Sequence, residues 1–288
     1  MEIEKKTPTK KILSVLAHPD DESFGMGGTL ALYAAQGVKV HLVCATRGEA
    51  GEVGPEYLQD YESIGELRES ELRCAAGHLG LAGVYFLDYR DSGMTGSDEN
   101  NHPNSLINAP IDEVKAKIVH YIREIRPQVV LTFDPIGGYR HPDHIAIHNA
   151  TVEAFHSAGD PNYPSDLPPF QAAKLYYHTI SRNFIRLTVR FLKLIGKDPT
   201  RWGENKDIDL TSLAIDDYPI NAQINYRSVD SRKNAASFCH ASQGGAGLAK
   251  GPLRWITRVV PSKDQFMRAF PPPDSRERET DLFDGVPL

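Results

Sequence analysis

The chain has 288 residues, of which 40% are hydrophobic, and this is enough to build one large α/β domain with a substantial core. Its formal net charge of -6 provides no basic field for a polyanion, which argues against a nucleic-acid partner. No apolar run reaches the ~18 residues of a membrane-spanning helix, and the first residues lack the apolar core of a signal peptide. We therefore predict a cytoplasmic protein that does not associate with membranes.

The first 158 residues alternate predicted strands with predicted helices. Continuous apolar segments predict buried strands of a parallel sheet, and apolar residues at helical spacing predict helices. The predicted strands are residues 11–17, 38–46, 84–87 and 129–133. The predicted helices are residues 27–36, 64–79, 111–125 and 144–158. This order predicts a Rossmann-like, doubly wound α/β fold, in which a mostly parallel sheet carries helices on both faces.

The remaining segments are less regular. A long polar loop covers residues 88–108, and loops of this length are usually functional or disordered. Beyond it we predict two strands, two helices and a charged, proline-rich tail, at residues 174–180, 220–226, 183–195, 229–240 and 271–280. We predict that residues 1–160 form the catalytic core. Residues 161–288 are expected to form a smaller α+β subdomain that completes the substrate pocket within one compact unit.

The cysteines are Cys44, Cys74 and Cys239, which lie far apart and form no CxxC motif. Each falls in an apolar or helical setting, and a cytoplasmic protein usually keeps its thiols reduced. We therefore predict that all three are reduced core residues.

Acidic and imidazole side chains follow the first and the fourth predicted strands. The first cluster is AHPDDE, residues 17–22, and the second is YRHPDH, residues 139–144. Open α/β sheets bind their ligands at the carboxyl ends of their strands. The two clusters together therefore predict one divalent metal site with acid-base groups beside it.

A catalytic zinc typically takes three protein ligands and keeps one position for water. His18, Asp21 and His144 supply two imidazoles and a carboxylate for such a site. Because a bound metal lowers the pKa of its water towards ~7, the neighbouring carboxylate of Asp20 is a sufficient general base.

The second cluster also contains His141 and Asp143. An imidazolium at His141 could polarise a carbonyl or protonate a leaving group. Asp143 could orient that imidazole and raise its pKa. This set of groups is typical of metal-assisted hydrolysis.

Structural roles are the alternative for each cluster alone. Proline after histidine favours an extended turn, and the following aspartate can cap a helix. Two clusters with complementary ligands at strand ends argue against that interpretation. The Gly27-Gly28 pair could indicate a dinucleotide loop, but no GxGxxG motif is present. His41, His78, His120 and His156 fit packing or surface positions better than ligand positions.

Several motifs occur in order between residues 11 and 158, namely AHPDDE with GGT, RGEAGE, RESEL, DYRDSGM and GGYRHPDH. With these motifs the chain resembles the LmbE-like (PIG-L) family of zinc-dependent de-N-acetylases. The DSGM and GGYRHPDH segments make it most similar to the mycothiol-pathway branch. That branch contains an N-acetylglucosaminyl-inositol deacetylase and a mycothiol-conjugate amidase.

The resemblance implies metal ligation by His18, Asp21 and His144, general base catalysis by Asp20, and an acid or oxyanion-stabilising role for His141 oriented by Asp143. It also implies that Tyr139 lies over the substrate carbonyl. Arg68 and Asp91 would hold sugar hydroxyls, with Glu49 in a loop nearby. A late helix, KNAA followed by HASQ, would bring His240 into the pocket, unless that histidine only caps the helix.

The implied activity is removal of the N-acetyl group from an N-acetylglucosamine-type sugar conjugate, with Zn²⁺ or, in the cell, Fe²⁺. An amidase that cleaves a larger thiol conjugate is the first alternative, and a non-catalytic sugar-binding module is the second. A homo-oligomer is possible. The exact sugar, its aglycone, the leaving acyl group and the role of residues 183–217 stay open.

Overall fold

The computed structural model describes residues 9–180, 182–201, 209–215, 218–245, 262–274 and 278–287, without the side chains of Asn183 and Phe184. The strands in these ranges are β1 (Lys11–Leu16), β2 (Lys39–Thr46), β3 (Gly83–Tyr89), β4 (Val129–Phe133), β5 (Lys174–His178), β6 (Ala222–Asn225) and β7 (Lys263–Phe270). The α-helices in these ranges are α1 (Asp21–Phe24), α2 (Gly27–Ala35), α3 (Ile64–Leu79), α4 (Ile111–Ile125), α5 (Gly137–Arg140), α6 (Pro142–Gly159), α7 (Arg182–Leu194), α8 (Leu210–Leu213) and α9 (Asp230–Cys239).

The seven described strands form one sheet in the order β3-β2-β1-β4-β5-β7-β6. The first five of these are parallel, and β7 pairs antiparallel with both β5 and β6. The predicted α/β class with a mostly parallel, doubly wound sheet is confirmed. Strands from both sides of residue 160 join this sheet, and the division into two parts stays a prediction.

The order of the strands determines where a ligand can bind. The chain runs from β1 outward through β2 to β3, and then returns to add β4 and β5 on the other side of β1. Ligands of open α/β sheets bind at this switch point, outside the carboxyl ends of the strands. The first predicted cluster follows β1 and the second follows β4, so the two clusters lie at the same edge of the sheet.

Local sequence signals explain why most elements form where they were predicted. β4 is VVLTF with every residue buried, which is the composition expected of a central parallel strand. Ser63 caps the start of α3, since its side chain accepts the Glu66 N–H. Gly80, in the left-handed conformation, caps the end of the helix. Strand β7 was missed because two of its buried positions, Asp264 and Arg268, are charged, so the apolar alternation typical of a strand is broken.

The prediction for the cysteines was wrong for two of the three. Cys74 of α3 and Cys239 of α9 form a disulfide bond, whereas Cys44 is buried and free. Cys74 lies on an exposed part of α3, against which α9 packs. The spacing of apolar residues within one helix carries no information about the partner helix, so the pairing was not visible in the sequence.

None of the described helices is both long enough and apolar enough to cross a bilayer.

Candidate active site

Two imidazoles and a carboxylate converge between the ends of β1 and β4. His18 Nδ1 lies 3.2 Å from His144 Nε2, and Asp21 Oδ1 lies 3.2 Å from the same nitrogen. Asp21 Oδ2 lies 3.6 Å from His18 Nδ1 and accepts the backbone N–H of His18 at 2.8 Å. That bond closes the turn between β1 and α1. The predicted ligands are therefore brought together, although they are distant in sequence.

The other nitrogen of each imidazole is held by a neighbour. His18 Nε2 lies 3.1 Å from Asp143 Oδ2 and 3.3 Å from Asp91 Oδ1, and His144 Nδ1 lies 3.2 Å from the carbonyl oxygen of Gly137. Such partners commonly orient metal-binding histidines and fix their tautomer. They leave His18 Nδ1 and His144 Nε2 facing each other as donors for a cation.

The electrostatics of the site also favour a cation. Burial opposes the charged form of His18, but the carboxylates of Asp91 and Asp143 raise its pKa well above the ordinary 6.5. Burial likewise opposes ionisation of Asp21, yet His144 and His18 lower the pKa of that carboxyl. A site that draws a proton onto a buried imidazole has an excess of negative charge. The donor set and this charge fit a divalent metal.

A glycine is required beside His144. Gly137 has φ 64°, and a Cβ atom on it would lie 2.8 Å from the Cβ of His144. The turn that follows β4 can therefore pass close to the ligand helix only with glycine at this position. His141 then caps α6, with Pro142 in its first turn, and this helix presents His144 to the site.

Asp20 lies beside the ligands on an unusual backbone. Its φ is 122°, a conformation that costs energy for a residue other than glycine and that is common at functional sites. Its Oδ2 accepts a hydrogen bond from Arg68 Nη2 at 2.9 Å. Burial raises the pKa of Asp20 to about 6, although the positive charge of Arg68 opposes this shift. Asp20 is thus a carboxylate that can both take up and release a proton near neutral pH.

Arg68 positions Asp20, and its predicted contact with sugar hydroxyls stays a prediction. Besides Asp20, its guanidinium donates to the carbonyl oxygens of Pro19 at 2.6 Å and Gly48 at 2.9 Å. Gly48 allows this approach, since a Cβ atom on it would lie 2.1 Å from Arg68 Nη1. The Nε atom of Arg68 is buried and has no hydrogen-bond partner within the described chain.

Glu49 and Asp91 lie next to the candidate metal ligands. Glu49 Oε2 accepts the Asp91 N–H at 3.1 Å, and Asp91 Oδ1 accepts the Gly93 N–H at 2.8 Å. Asp91 also faces the outer nitrogen of His18. Both carboxylates are therefore near the site, and contact with a sugar stays a prediction.

His141 and Asp143 are not arranged as predicted. Asp143 Oδ2 bonds to His18 Nε2 and to the Ser92 N–H at 2.9 Å, and no hydrogen bond joins its carboxylate to the His141 ring within the described chain. His141 Nδ1 instead accepts the backbone N–H of Asp143 at 3.2 Å. Burial, and then the neighbouring His18 and His144, lower the pKa of His141 to about 2. The expectation of a raised pKa was wrong, because the helix start turns the carboxylate towards His18.

The geometry assigns His141 a single tautomer. Because Nδ1 accepts an N–H, the proton of the neutral ring is on Nε2, which has no hydrogen-bond partner in the described part of the chain. A nitrogen of this ring also lies within 4.8 Å of donor atoms of His18 and His144. His141 thus offers a neutral N–H donor beside the metal-ligand group.

Tyr139 lies over the imidazoles. Its ring is 4.9 Å from that of His144 and 5.9 Å from that of His141, and its other side packs against the apolar cluster of α7 and α8. Burial, and then the charges of Asp21 and Asp20, raise its pKa well above 10. Its hydroxyl therefore stays protonated and can donate a hydrogen bond.

His240 differs from its predicted position in the pocket. It is fully buried, and its Nε2 lies 2.7 Å from Glu22 Oε1. Glu22 in turn accepts the Asp20 N–H through Oε2 at 3.0 Å. His240 therefore contacts Asp20 only indirectly, through the carboxylate of Glu22.

Glu22, Asp134 and Arg182 are site residues that sequence reasoning did not assign. Asp134 follows β4 directly, accepts the Gly138 N–H at 2.8 Å and pairs with Arg182 at 3.2 Å. Its position at a strand end was a usable signal, as was the place of Glu22 within AHPDDE. The partner Arg182 comes from a later helix, and no local pattern connects it with this turn.

Comparison with known proteins supports the same chemistry. The family model for PIG-L, described as GlcNAc-PI de-N-acetylase, matches residues 13–155. A 1D-myo-inositol 2-acetamido-2-deoxy-alpha-D-glucopyranoside deacetylase of Streptomyces griseus is 37% identical over 98% of this chain and 91% of its own length. A protein of the same name from Geodermatophilus obscurus is 39% identical over 82% of this chain and 84% of its own length.

Solved structures share the fold at lower identity. The N,N'-diacetylchitobiose deacetylase of Pyrococcus horikoshii has a TM-score of 0.60 at 21% identity and covers 92% of this chain and 88% of its own. GalB, the 4-carboxy-2-hydroxymuconate hydratase of Pseudomonas putida, also has a TM-score of 0.60 at 21% identity, with 93% and 99% covered. Since a hydratase has the same fold, the fold alone does not determine the reaction. The near full-length relatives show that the chain belongs to the PIG-L family of de-N-acetylases.

Proposed function

We propose that the chain is a metal-dependent hydrolase that releases acetate and a free amine from an N-acetylglucosamine-type sugar conjugate. The observation that carries this proposal is the convergence of His18, Asp21 and His144 in a buried anionic site, with Asp20 beside them. Relatives of almost the same length are named deacetylases of 1D-myo-inositol 2-acetamido-2-deoxy-alpha-D-glucopyranoside. That compound is the first substrate to test.

His18, Asp21 and His144 would hold the metal, for which two imidazoles and a carboxylate are a typical zinc donor set. We propose Zn²⁺, with Fe²⁺ as the alternative in the cell. When bound there, the metal would polarise the acetamide carbonyl and lower the pKa of the attacking water.

Asp20 carries the proton through the reaction. It takes a proton from the water as the water oxygen bonds to the carbonyl carbon. It then gives that proton to the amine nitrogen as the C–N bond breaks, which leaves acetic acid and a neutral amine. The proton of the acid passes to the amine, so the released products are acetate and an ammonium group. A pKa raised by burial suits both transfers, and Arg68 holds the carboxylate in place for them.

The negative charge that develops on the carbonyl oxygen needs donors. His141 Nε2–H and the Tyr139 hydroxyl would supply them, and the two rings lie 5.9 Å apart. Removing one such donor commonly costs about 10²–10³-fold in kcat. In this mechanism His141 acts as a neutral donor, in place of the imidazolium predicted from the sequence, because its Nδ1 is occupied by a backbone N–H.

Incubation of metal-loaded protein with a panel of N-acetylglucosaminides, with free acetate as the readout, tests the reaction. We expect acetate from the inositol conjugate in the wild type, with loss of activity and retained metal in Asp20→Asn. His144→Ala should lose the metal as well. Release of a larger acyl group without acetate would favour the amidase alternative. Binding without any hydrolysis would favour a sugar-binding module.

Three expectations on the biology of the protein remain proposals, namely the cytoplasmic location, the small-molecule partner and a possible homo-oligomer. Sedimentation of the purified protein measures the last of these directly.

A further inference from the structure

A second cluster of metal-binding side chains lies between α3 and α9. Cys74 and Cys239 are joined by a disulfide, with their Cα atoms 5.8 Å apart. His78 follows Cys74 by one helical turn, so its imidazole lies on the same face of α3. The sulfur atoms and one ring nitrogen all lie within 4.8 Å of one another.

The imidazole of His78 is available for a ligand. Its side chain is exposed, and no hydrogen bond or ion pair joins it to another residue of the described chain. Cys74 is also exposed, and Cys239 is partly buried. The cluster shares no residue with the group formed by His18, Asp21 and His144. It therefore needs its own explanation.

We propose that the reduced form of this cluster is a metal site that binds Zn²⁺ or a similar soft cation through Cys74, Cys239 and His78. Two thiolates and an imidazole are typical zinc ligands, and the exposed face leaves the fourth position to water. Binding replaces the thiol protons, so the cation compensates the charge of both thiolates. The disulfide is the oxidised form of the same site, which cannot hold the metal.

The distance between α3 and α9 in the disulfide form also suits the metal-bound form. Zn–S bonds of about 2.3 Å in a tetrahedral arrangement place two thiolates about 3.8 Å apart. The Cα separation of 5.8 Å allows that opening by side-chain rotation, without movement of α3 or α9. The redox step is balanced by an external disulfide of a small thiol. Two protein thiols give the Cys74–Cys239 bond, and the oxidant leaves as two small thiols.

The predicted location determines which form dominates. In a reducing compartment most cysteines are thiols, and there this pair would be the dithiol, whereas in an oxidising one it stays the disulfide that the structure shows. In the dithiol form two nearby thiols and an imidazole converge on one point at the surface. Such a cluster can bind a metal when its thiols are reduced and can form a disulfide when they are oxidised.

Cobalt distinguishes this site from the catalytic one. A Co²⁺ ion on thiolates gives an intense sulfur-to-metal charge-transfer absorption in the near ultraviolet, which histidine and carboxylate ligands do not give. We therefore propose titrating anaerobic, reduced, full-length protein with Co²⁺ and following that absorption. Mass spectrometry of alkylated samples reports how much of the protein is in the disulfide form.

The expected result is one equivalent of thiolate-bound Co²⁺ in the reduced wild type and none in the oxidised protein. Cys74→Ser and Cys239→Ser should abolish the charge-transfer band, while Cys44→Ser, which changes the buried free thiol, should keep it. His78→Ala should weaken Co²⁺ binding by more than roughly 10- to 100-fold, which is the loss typical of removing a residue that only hydrogen-bonds to a metal ligand.

Circular dichroism of each variant verifies the fold, and the catalytic metal content measured in parallel provides a second control. Absence of the band from the reduced, folded wild type would overturn the proposal. So would a band that survives in both Cys74→Ser and Cys239→Ser, or Co²⁺ affinity unchanged in His78→Ala. None of these outcomes depends on deacetylase activity.

Discussion

His240 Nε2 lies 2.7 Å from Glu22 Oε1, and both side chains are fully buried. The contact joins the end of α9 to the catalytic turn after β1. Burial opposes the charged form of His240, but the Glu22 carboxylate raises the pKa of this imidazole. The second oxygen of Glu22 accepts the N–H of Asp20, whose backbone has the unfavourable φ of 122°. Glu22 and His240 are therefore positioning residues for Asp20, the proposed general base.

We expect Glu22→Gln to lower kcat by about 10- to 100-fold, the cost commonly found when a catalytic group is displaced by about 1 Å. The amide of the variant has a single oxygen. It therefore cannot accept hydrogen bonds from both Asp20 and His240, as the two carboxylate oxygens of Glu22 do. KM and metal content should change little, because neither Asp20 nor Glu22 is a proposed ligand. Steady-state kinetics with metal analysis measure both. Ser23→Ala is the control, since it removes one hydrogen bond to Glu22 and leaves the His240 contact.

Removal of His240 should affect stability as well. His240→Ala leaves the Glu22 carboxylate buried without its partner, and such a loss commonly costs about 3–5 kcal/mol in the free energy of unfolding. Urea unfolding of the two single variants and the double variant gives the coupling energy of the pair. Additive effects, together with a kcat for Glu22→Gln within a few-fold of the wild type, would contradict the positioning role.

Asp143→Asn should weaken metal binding by about 10- to 100-fold, because Asp143 bonds to the outer nitrogen of the proposed ligand His18. Loss of the negative charge makes that imidazole a weaker donor. Competition with a chelator of known affinity measures the change. Asp112→Asn, an exposed aspartate in the first turn of α4, is the matched control. Unchanged affinity with lowered activity would favour the sequence-based role, in which Asp143 acts through His141.

Replacing His141 tests whether it donates a hydrogen bond or a proton. We expect His141→Ala to lose about 10²–10³-fold in kcat, as for the loss of an oxyanion donor. His141→Gln should recover part of this loss, because an amide N–H can donate but does not ionise near neutral pH. His156→Gln, an exposed histidine on the same helix, is the control. Equal inactivity of the Ala and Gln variants, with metal retained, would show that a titrating imidazole is required.

The stability of the protein should depend on pH through Asp264, which lies away from the metal site. Its Oδ2 accepts the N–H and hydroxyl of Thr29 at 2.8 Å, and burial raises its pKa to about 6. Between the unfolded pKa near ~3.9 and this value, the native state binds more protons than the unfolded state. The free energy of unfolding should therefore fall as pH rises through this interval.

Asp264→Asn removes that titration and keeps an oxygen for Thr29. Relative to the wild type, the variant should gain stability from pH 4 to pH 7, by at most about 3 kcal/mol. Urea unfolding at several pH values measures the difference, and Asp112→Asn provides the exposed control. A difference that does not vary with pH would assign the buried carboxylate a normal pKa.

The sequence by itself determined the fold class and identified a candidate set of metal ligands. Continuous apolar strands and amphipathic helices are local patterns, and their alternation restricts the topology to a doubly wound sheet. The bounds of α3, α4 and β4 agree with the sequence-based prediction for the same reason. His18, Asp21 and His144 were identifiable because strand ends at a switch point meet in space. The need for glycine at position 137 became visible only in the structure, where a Cβ atom would lie 2.8 Å from the Cβ of His144.

The tertiary structure decided which groups touch. Asp143 is two residues from His141 in sequence, yet its carboxylate bonds to His18, and Arg68 contacts Asp20, which lies 48 residues earlier. Hydrogen bonds depend on the directions of side chains, and these are determined by packing between elements distant in the chain. The Cys74–Cys239 disulfide has a sequence separation of 165 and joins two helices, neither of which indicates the other as its partner in its own sequence. Contacts of this kind have no local signal, so only the packing of the sheet and its helices determines them.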